Sequence, residues 1–197
     1  MYYYHLTHID NIPQIIRYGL LSHSLIKSRG HIHKDLSNHN VQDKRNKTFA
    51  PWKKKYKLKD FVPLFHRTKT PMAYTLKDDQ IVFLRFKSSD ILKHSESTKK
   101  LVIYTDGNAA SDETKFYIRK QEALFNLPDI ANENEKCFKY WNDWKDGKRI
   151  FSAEILVHKE IPTRLINCIM FKDIPTEMKI RKLKIDVAIG TCSRIFF

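Results

Sequence analysis

The spacing of the strand-forming runs constrains this chain more than any other feature. Runs rich in β-branched and aromatic residues stand at Ile81–Phe86, Leu101–Thr105, Ala153–His158, Asn167–Phe171 and Lys184–Ile189, each bounded by turn or charged residues. Ahead of them, Asp10 predicts the N-cap of a helix from about Asn11 to Leu21, with Pro13 in its first turn and Ile12, Ile15, Ile16 and Leu20 at helical spacing. One early helix, a long polar excursion and then strands interrupted by an insert lack the regular alternation of a doubly wound parallel sheet. The pattern predicts an α+β fold. No GxGxxG and no GxxxxGKS/T occurs, so neither a dinucleotide fingerprint nor a P-loop is present.

With 197 residues the chain is read as a single domain over 1–197, with a basic excursion at about 22–60 and a partly helical insert at about 111–148 broken at Pro128. No apolar run approaches the roughly 20 residues needed to cross a bilayer. The opening Met-Tyr-Tyr-Tyr-His lacks the basic and apolar regions of a secretory signal. Cys137, Cys168 and Cys192 are widely spaced with no CxxC pair, which predicts buried thiols in a reducing, cytoplasmic compartment. Nine histidines include His31-x-His33 but no HExxH or matched Cys/His set, so no structural metal is expected.

Charge points to a polyanionic partner. Thirty-six lysines and arginines against 22 acidic residues leave a net +14, a field that concentrates polyanions. Residues 25–60 hold eleven of the basic residues against three acidic ones, a net of +8. Within that stretch Lys53, Lys54 and Lys55 are flanked by Trp52, Tyr56 and Phe61, the mixture of cations and stacking rings that a single-strand groove uses. A solvated surface run is the competing account.

The most informative carboxylate is Glu154, an acid inside the run Ala-Glu-Ile-Leu-Val. Alternation puts it on the side of Leu156 and His158, and a carboxylate there is costly unless paired or set at a cleft. His5 and Thr7 stand two apart in an extended segment and can present a ring and a hydroxyl to one ligand. Arg67 and Lys69 lie between Pro63 and Pro71, where a turn could hold a cation against a phosphate. Thr105-Asp106-Gly107-Asn108 follows a predicted strand and reads as a turn presenting polar groups.

In order along the chain, the segments Tyr4-His-Leu-Thr-His-Ile-Asp-Asn11 leading to Gly19-Leu-Leu-Ser22, Val41-Gln-Asp-Lys-Arg45, Phe61-Val-Pro-Leu-Phe65 through Pro71-Met72, Tyr104-Thr-Asp-Gly-Asn-Ala109, Thr114-Lys-Phe-Tyr117 and Ala153-Glu-Ile-Leu-Val157 resemble the DarT family of DNA ADP-ribosyltransferase toxins, found in DarTG-type toxin–antitoxin pairs. The resemblance implies an ADP-ribosyltransferase fold of two packed β-sheets with flanking helices and an NAD cleft between the sheets. It also implies transfer of ADP-ribose from NAD, as co-substrate and without metal, to thymine in single-stranded DNA, with a cognate antitoxin as a further partner. Glu154 matches the family's catalytic glutamate, with Arg67 or Lys69 in the place of its arginine. His5, Thr7, Asn11, Gln42 and Arg45 fall on the cofactor side, and Asn108, Lys53, Lys54, Lys55 and Tyr74 on the substrate side.

Two departures bear on those roles. Lys69 stands where many members have arginine, and it lacks the planar fork; Asn108 stands where some have histidine, and it cannot shuttle a proton. Competing functions are the same chemistry on guanine, RNA or protein, a non-catalytic nucleic-acid binding module, and a nuclease built on Glu177-x-Lys179. An acid at 154 beside His5 and Thr7 favours catalysis, since binding alone would not place an acid in a basic groove.

Overall fold

The computed structural model describes residues 1–51, 55–125, 141, 146–183 and 185–197. The strands are β1 (Tyr2–His8), β2 (Leu20–Leu21), β3 (Phe61–Phe65), β4 (Ile81–Lys87), β5 (Val102–Thr105), β6 (Phe116–Tyr117), β7 (Glu154–His158), β8 (Glu160–Ile161), β9 (Ile166–Phe171) and β10 (Ile189–Thr191). Eight of them join in the order β10-β9-β4-β1-β3-β7-β5-β6, and β2 pairs with β8 in a separate ribbon. The α+β class expected from the sequence is what the strands and helices form.

Two packed sheets were expected, and the ladder shows how far that holds. β1 pairs with β4 over its full length, from Tyr2↔Lys87 to His8↔Ile81, but with β3 only at Tyr4↔Phe65. Two four-stranded halves therefore meet at one point. Pro63 supplies the reason: its carbonyl faces β1, where it accepts a bond from His5 Nδ1 at 2.8 Å. A residue in an antiparallel pair turns N–H and C=O to the same side, and proline has no N–H to give. Past Tyr4 the strands part.

Apolar residues fill both faces of the sheet. Tyr3, Val62, Leu84 and Val157 lie on one side with Ile12 and Ile15 from α1 (Ile12–Tyr18) packed over them. Tyr4, Leu6, Phe83 and Met170 lie on the other, closed by Phe196 near the end of the chain. The predicted early helix is shorter than read: a 3-10 turn occupies Ile9–Asn11, so Asn11 rather than Asp10 precedes α1, and Gly19 ends it at φ +82°. A Cβ on Gly19 would sit 2.8 Å from the Ile161 carbonyl oxygen. That glycine lets the chain turn directly into β2.

The basic excursion carries two helices, α2 (His23–Ser28) and α3 (His39–Lys47). α3 is capped by Asn38, whose side chain accepts from Asn40 N–H at 2.8 Å, and its one buried residue is Arg45. Further helices are α4 (Pro71–Thr75), α5 (Ser88–Ser97), α6 (Lys120–Phe125), α7 (Gly147–Ile150) and α8 (Ile174–Arg181). Much of the insert predicted at 111–148, Pro128 and Cys137 included, lies outside the described residues. The last strand was placed at Lys184–Ile189 and starts instead at Ile189, parallel to β9. Among the described residues no helix is long and apolar enough to cross a membrane.

Candidate active site

The site lies where β1 and β3 part. Phe65 pairs with Tyr4 on one side and with Glu154 on the other, so these three share a face, while His5 and Thr7 alternate to the opposite one. The broken ladder lets both faces reach one cleft, lined by His5, Thr7, Gln42, Arg45, Asn108 and Glu154 among others.

Glu154 opens β7 and is 2 % exposed. Arg45 Nη1 donates to both its oxygens, at 3.2 and 2.9 Å, and the Ala109 N–H donates to Oε1 at 3.1 Å. The acid is thus paired, as its burial requires. Its backbone is held as firmly: Thr105 Oγ1 accepts the Glu154 N–H at 2.8 Å and donates to the Gly107 carbonyl at 2.6 Å. One hydroxyl ties the end of β5 to the start of β7 and shapes the turn that supplies Ala109. Arg45 Nη2 and Gln42 Oε1 are buried without a partner, a donor and an acceptor left over on one helix beside the cleft.

His5 is neutral. Burial pulls its pKa down to about 4, and Arg45 adds to this against the opposing bond to Pro63. Because Nδ1–H donates to the Pro63 carbonyl, the second nitrogen, Nε2, carries a free lone pair. Thr7 Oγ1 accepts from Asn11 Nδ2 at 3.0 Å. Asn11 does more than support Thr7: its Oδ1 accepts the Lys34 N–H at 2.8 Å and its Nδ2 donates to the Lys34 carbonyl at 3.0 Å. With both ends of its amide engaged, Asn11 acts as a clasp that fastens the loop between α2 and α3 across β1.

The remaining sequence-predicted residues are dispersed. Arg67 stacks its guanidinium 4.4 Å from the Phe151 ring and Lys69 holds its ammonium 5.9 Å from the Phe197 ring. Neither is among the residues lining the cleft, and the guanidinium that meets the acid is Arg45. Tyr74 packs edge-on against Trp141 and Phe197, also away from the lining. Asn108 lines the cleft with its Oδ1 engaged by the Ala110 N–H at 2.9 Å. Lys55 is exposed beside the Tyr56 ring; Lys53 and Lys54 fall outside the described residues. Glu177, read as part of a competing nuclease pair, sits on α8 and is bound to Arg181 and Thr191. Asp173 caps that helix and Pro175 occupies its first turn, so the proline starts the helix instead of breaking it.

The supporting residue that the sequence did not single out is Arg149. Arg149 Nη1 donates to Asp106 Oδ1 at 2.8 Å and its carbonyl accepts the Asn108 N–H at 2.9 Å, bracing the turn over Glu154. The Asp-Gly turn signal marked the place but could not name a partner some 40 residues away.

A family model described as "ssDNA thymidine ADP-ribosyltransferase, DarT" matches residues 4–189. A DNA ADP-ribosyl transferase–DNA ADP-ribosyl glycohydrolase fusion protein of Thermosipho africanus is 31% identical over 186 residues, covering 91% of this chain and 44% of its own length. A DNA ADP-ribosyl transferase of a Thermus species is 28% identical over 171 residues, covering 83% of this chain and 77% of its own. The chain therefore spans less than half of the fusion protein and about three quarters of the Thermus enzyme. Thermosipho africanus DarTG in complex with ADP-ribose superposes with a TM-score of 0.83 at 26% identity, over 100% of this chain and 51% of that one. Thermus sp. 2.9 DarT in complex with ADP-ribosylated ssDNA gives 0.80 at 21% identity, over 100% and 96%. The ordered segments noted in the sequence lie within the matched span, and the chain belongs to the DarT family.

Proposed function

We propose that the chain transfers ADP-ribose from NAD to thymine in single-stranded DNA and releases nicotinamide. The observation that carries this reading is the buried Glu154–Arg45 pair at a cleft shared with His5 and Thr7, in a chain of a family whose model is named for that reaction. Solved relatives hold NAD and ADP-ribosylated single-stranded DNA.

The residues fit the substrate. NAD supplies a ribosyl group whose bond to nicotinamide breaks with positive charge building on the sugar. Glu154 is a fixed negative charge already desolvated, so it stabilises that charge without reorganising. Its lone pairs beyond those used by Arg45 and Ala109 can accept from ribose hydroxyls, as can His5 Nε2. Arg45 holds the carboxylate in place through Nη1 and keeps the two N–H groups of Nη2 for substrate. Gln42 Oε1 is the matching acceptor one turn earlier on α3. Asn108 and the basic run Lys53–Lys55 serve the acceptor strand in this reading, Tyr74 lies outside the lining, and Arg67 and Lys69, also outside it, are cations for the strand's phosphates. The fused glycohydrolase of the Thermosipho relative suggests a cognate antitoxin that removes the same mark, and the reaction belongs in the cytoplasm with DNA.

Labelled NAD incubated separately with single-stranded DNA, duplex DNA, RNA and protein, followed by mass spectrometry of the digest, tests it. An ADP-ribose adduct on thymidine from single-stranded DNA is expected. An adduct on guanine would move the acceptor within the same chemistry; no adduct on any acceptor would refute the transferase reading.

A further inference from the structure

Three potential ligands line the same cleft and are given no part in the transfer proposed above. His23 is the first residue of α2, and His33 and Asp35 stand two apart in the loop that follows; one ligand atom from each lies within 4.8 Å of the other two. The two rings are 5.8 Å apart, edge to face, and His23 Nδ1 is 3.9 Å from Asp35 Oδ2.

We propose that His23, His33 and Asp35 bind a divalent transition metal of the zinc class, fastening the loop after α2 to the helix. Two imidazoles and a carboxylate are a donor set that suits zinc and leaves one position open. Bonds of about 2.0–2.1 Å would draw the ligands together by about 1 Å, and since His33 and Asp35 flank Lys34, whose backbone Asn11 holds, that adjustment falls to the side chains. His31, the other half of the sequence motif, is not in the group: its ring stacks on Tyr18 at 4.4 Å.

Outer hydrogen bonds prepare the site. Asp35 Oδ1 accepts from the Ser37 N–H at 2.9 Å and from the Ser37 hydroxyl, which turns Oδ2 toward His23. Ser37 Oγ in turn accepts from Gln42 Nε2 at 2.7 Å. Such outer hydrogen bonds orient a metal-binding carboxylate, and here they lead to the helix that carries Arg45. Lys27 and Lys59 lie close enough to His23 to act on it electrostatically. Those lysines oppose a cation's charge, so affinity rests on the coordination bonds.

The test is calorimetric titration of the full chain with Zn²⁺ alone, without NAD or DNA, so that its outcome is independent of the transferase reading. One saturating equivalent is expected. His33→Ala and Asp35→Asn should each weaken it by more than about tenfold, and Ser37→Ala by about tenfold, while His39→Ala, an exposed histidine on α3, leaves it unchanged. Hydrogen exchange over residues 31–38 should slow on adding Zn²⁺ to the wild type and not to His33→Ala. Circular dichroism of each variant checks folding. Absence of saturable binding, or binding that the His33 and Asp35 variants leave intact, would overturn the site.

Discussion

Glu154 and Arg45 depend on each other, and the cost of separating them sets what substitution can reveal. Removing one partner of a buried pair leaves an uncompensated charge worth about 3–5 kcal/mol, so Glu154→Gln, which keeps the volume, is more informative than alanine. Transfer should fall by at least about 10²-fold with NAD binding retained, as read by single-turnover labelling and calorimetry. Thr105→Val strips the acceptor from the buried Glu154 N–H and should cost about 1–3 kcal/mol in urea unfolding. Gly107 is confined from outside: a Cβ there would lie 2.4 Å from Arg149 Nη1 and 2.9 Å from Thr114 Oγ1. At this scale the acid was legible because it interrupts an apolar strand. Its counter-charge, 109 residues earlier, was legible only as a match to the family segment, since spacing says nothing about a pair closed by the whole fold.

Among the elements, the strands were the easier reading, and α3 shows why the excursion was harder. Its exposed face is polar throughout and Arg45 is its one buried residue, so no apolar periodicity marks it; the Asn38 cap was the available signal. β3 was hidden for the opposite reason, since Pro63 argues against a central strand, yet here that proline opens the seam. The loop joining α2 to α3 is fastened by Asn11. Asn11→Ala removes two bonds to the Lys34 backbone, each worth about 0.5–1.5 kcal/mol. Exchange at residues 32–38 should quicken and the KM for NAD should rise with little change in kcat. An unaltered exchange rate would mean that the loop is held by its other contacts.

For the whole molecule, buried neutral histidines make stability depend on pH. His5 is lowered to about 4 and His66 to about 3, both chiefly by burial. Below the ordinary value of 6.5 the unfolded chain takes up protons that the folded chain refuses, so their contribution is complete above that pH and drains away as pH falls toward 4. Urea midpoints measured at pH 7.5, 5.5 and 4.5 should decline in that order, and His66→Phe should flatten the decline. Net charge acts outward as well: neutralising Lys53, Lys54 and Lys55 should lower the salt slope of single-stranded DNA binding by about 2, at about 0.7 per phosphate contact.

The place of β1 in the sheet has a consequence for synthesis. The first strand made is fourth in an order of eight, between β4 and β3, and it must wait for both partners. Arg45 waits for Glu154 across 109 further residues, which at about 5–20 residues per second is about 5–20 s of translation. A nascent chain therefore carries half a cleft and no counter-charged acid until the strand bearing Glu154 has left the ribosome. Any partner that seized β1 before then would stop the enzyme from ever being assembled.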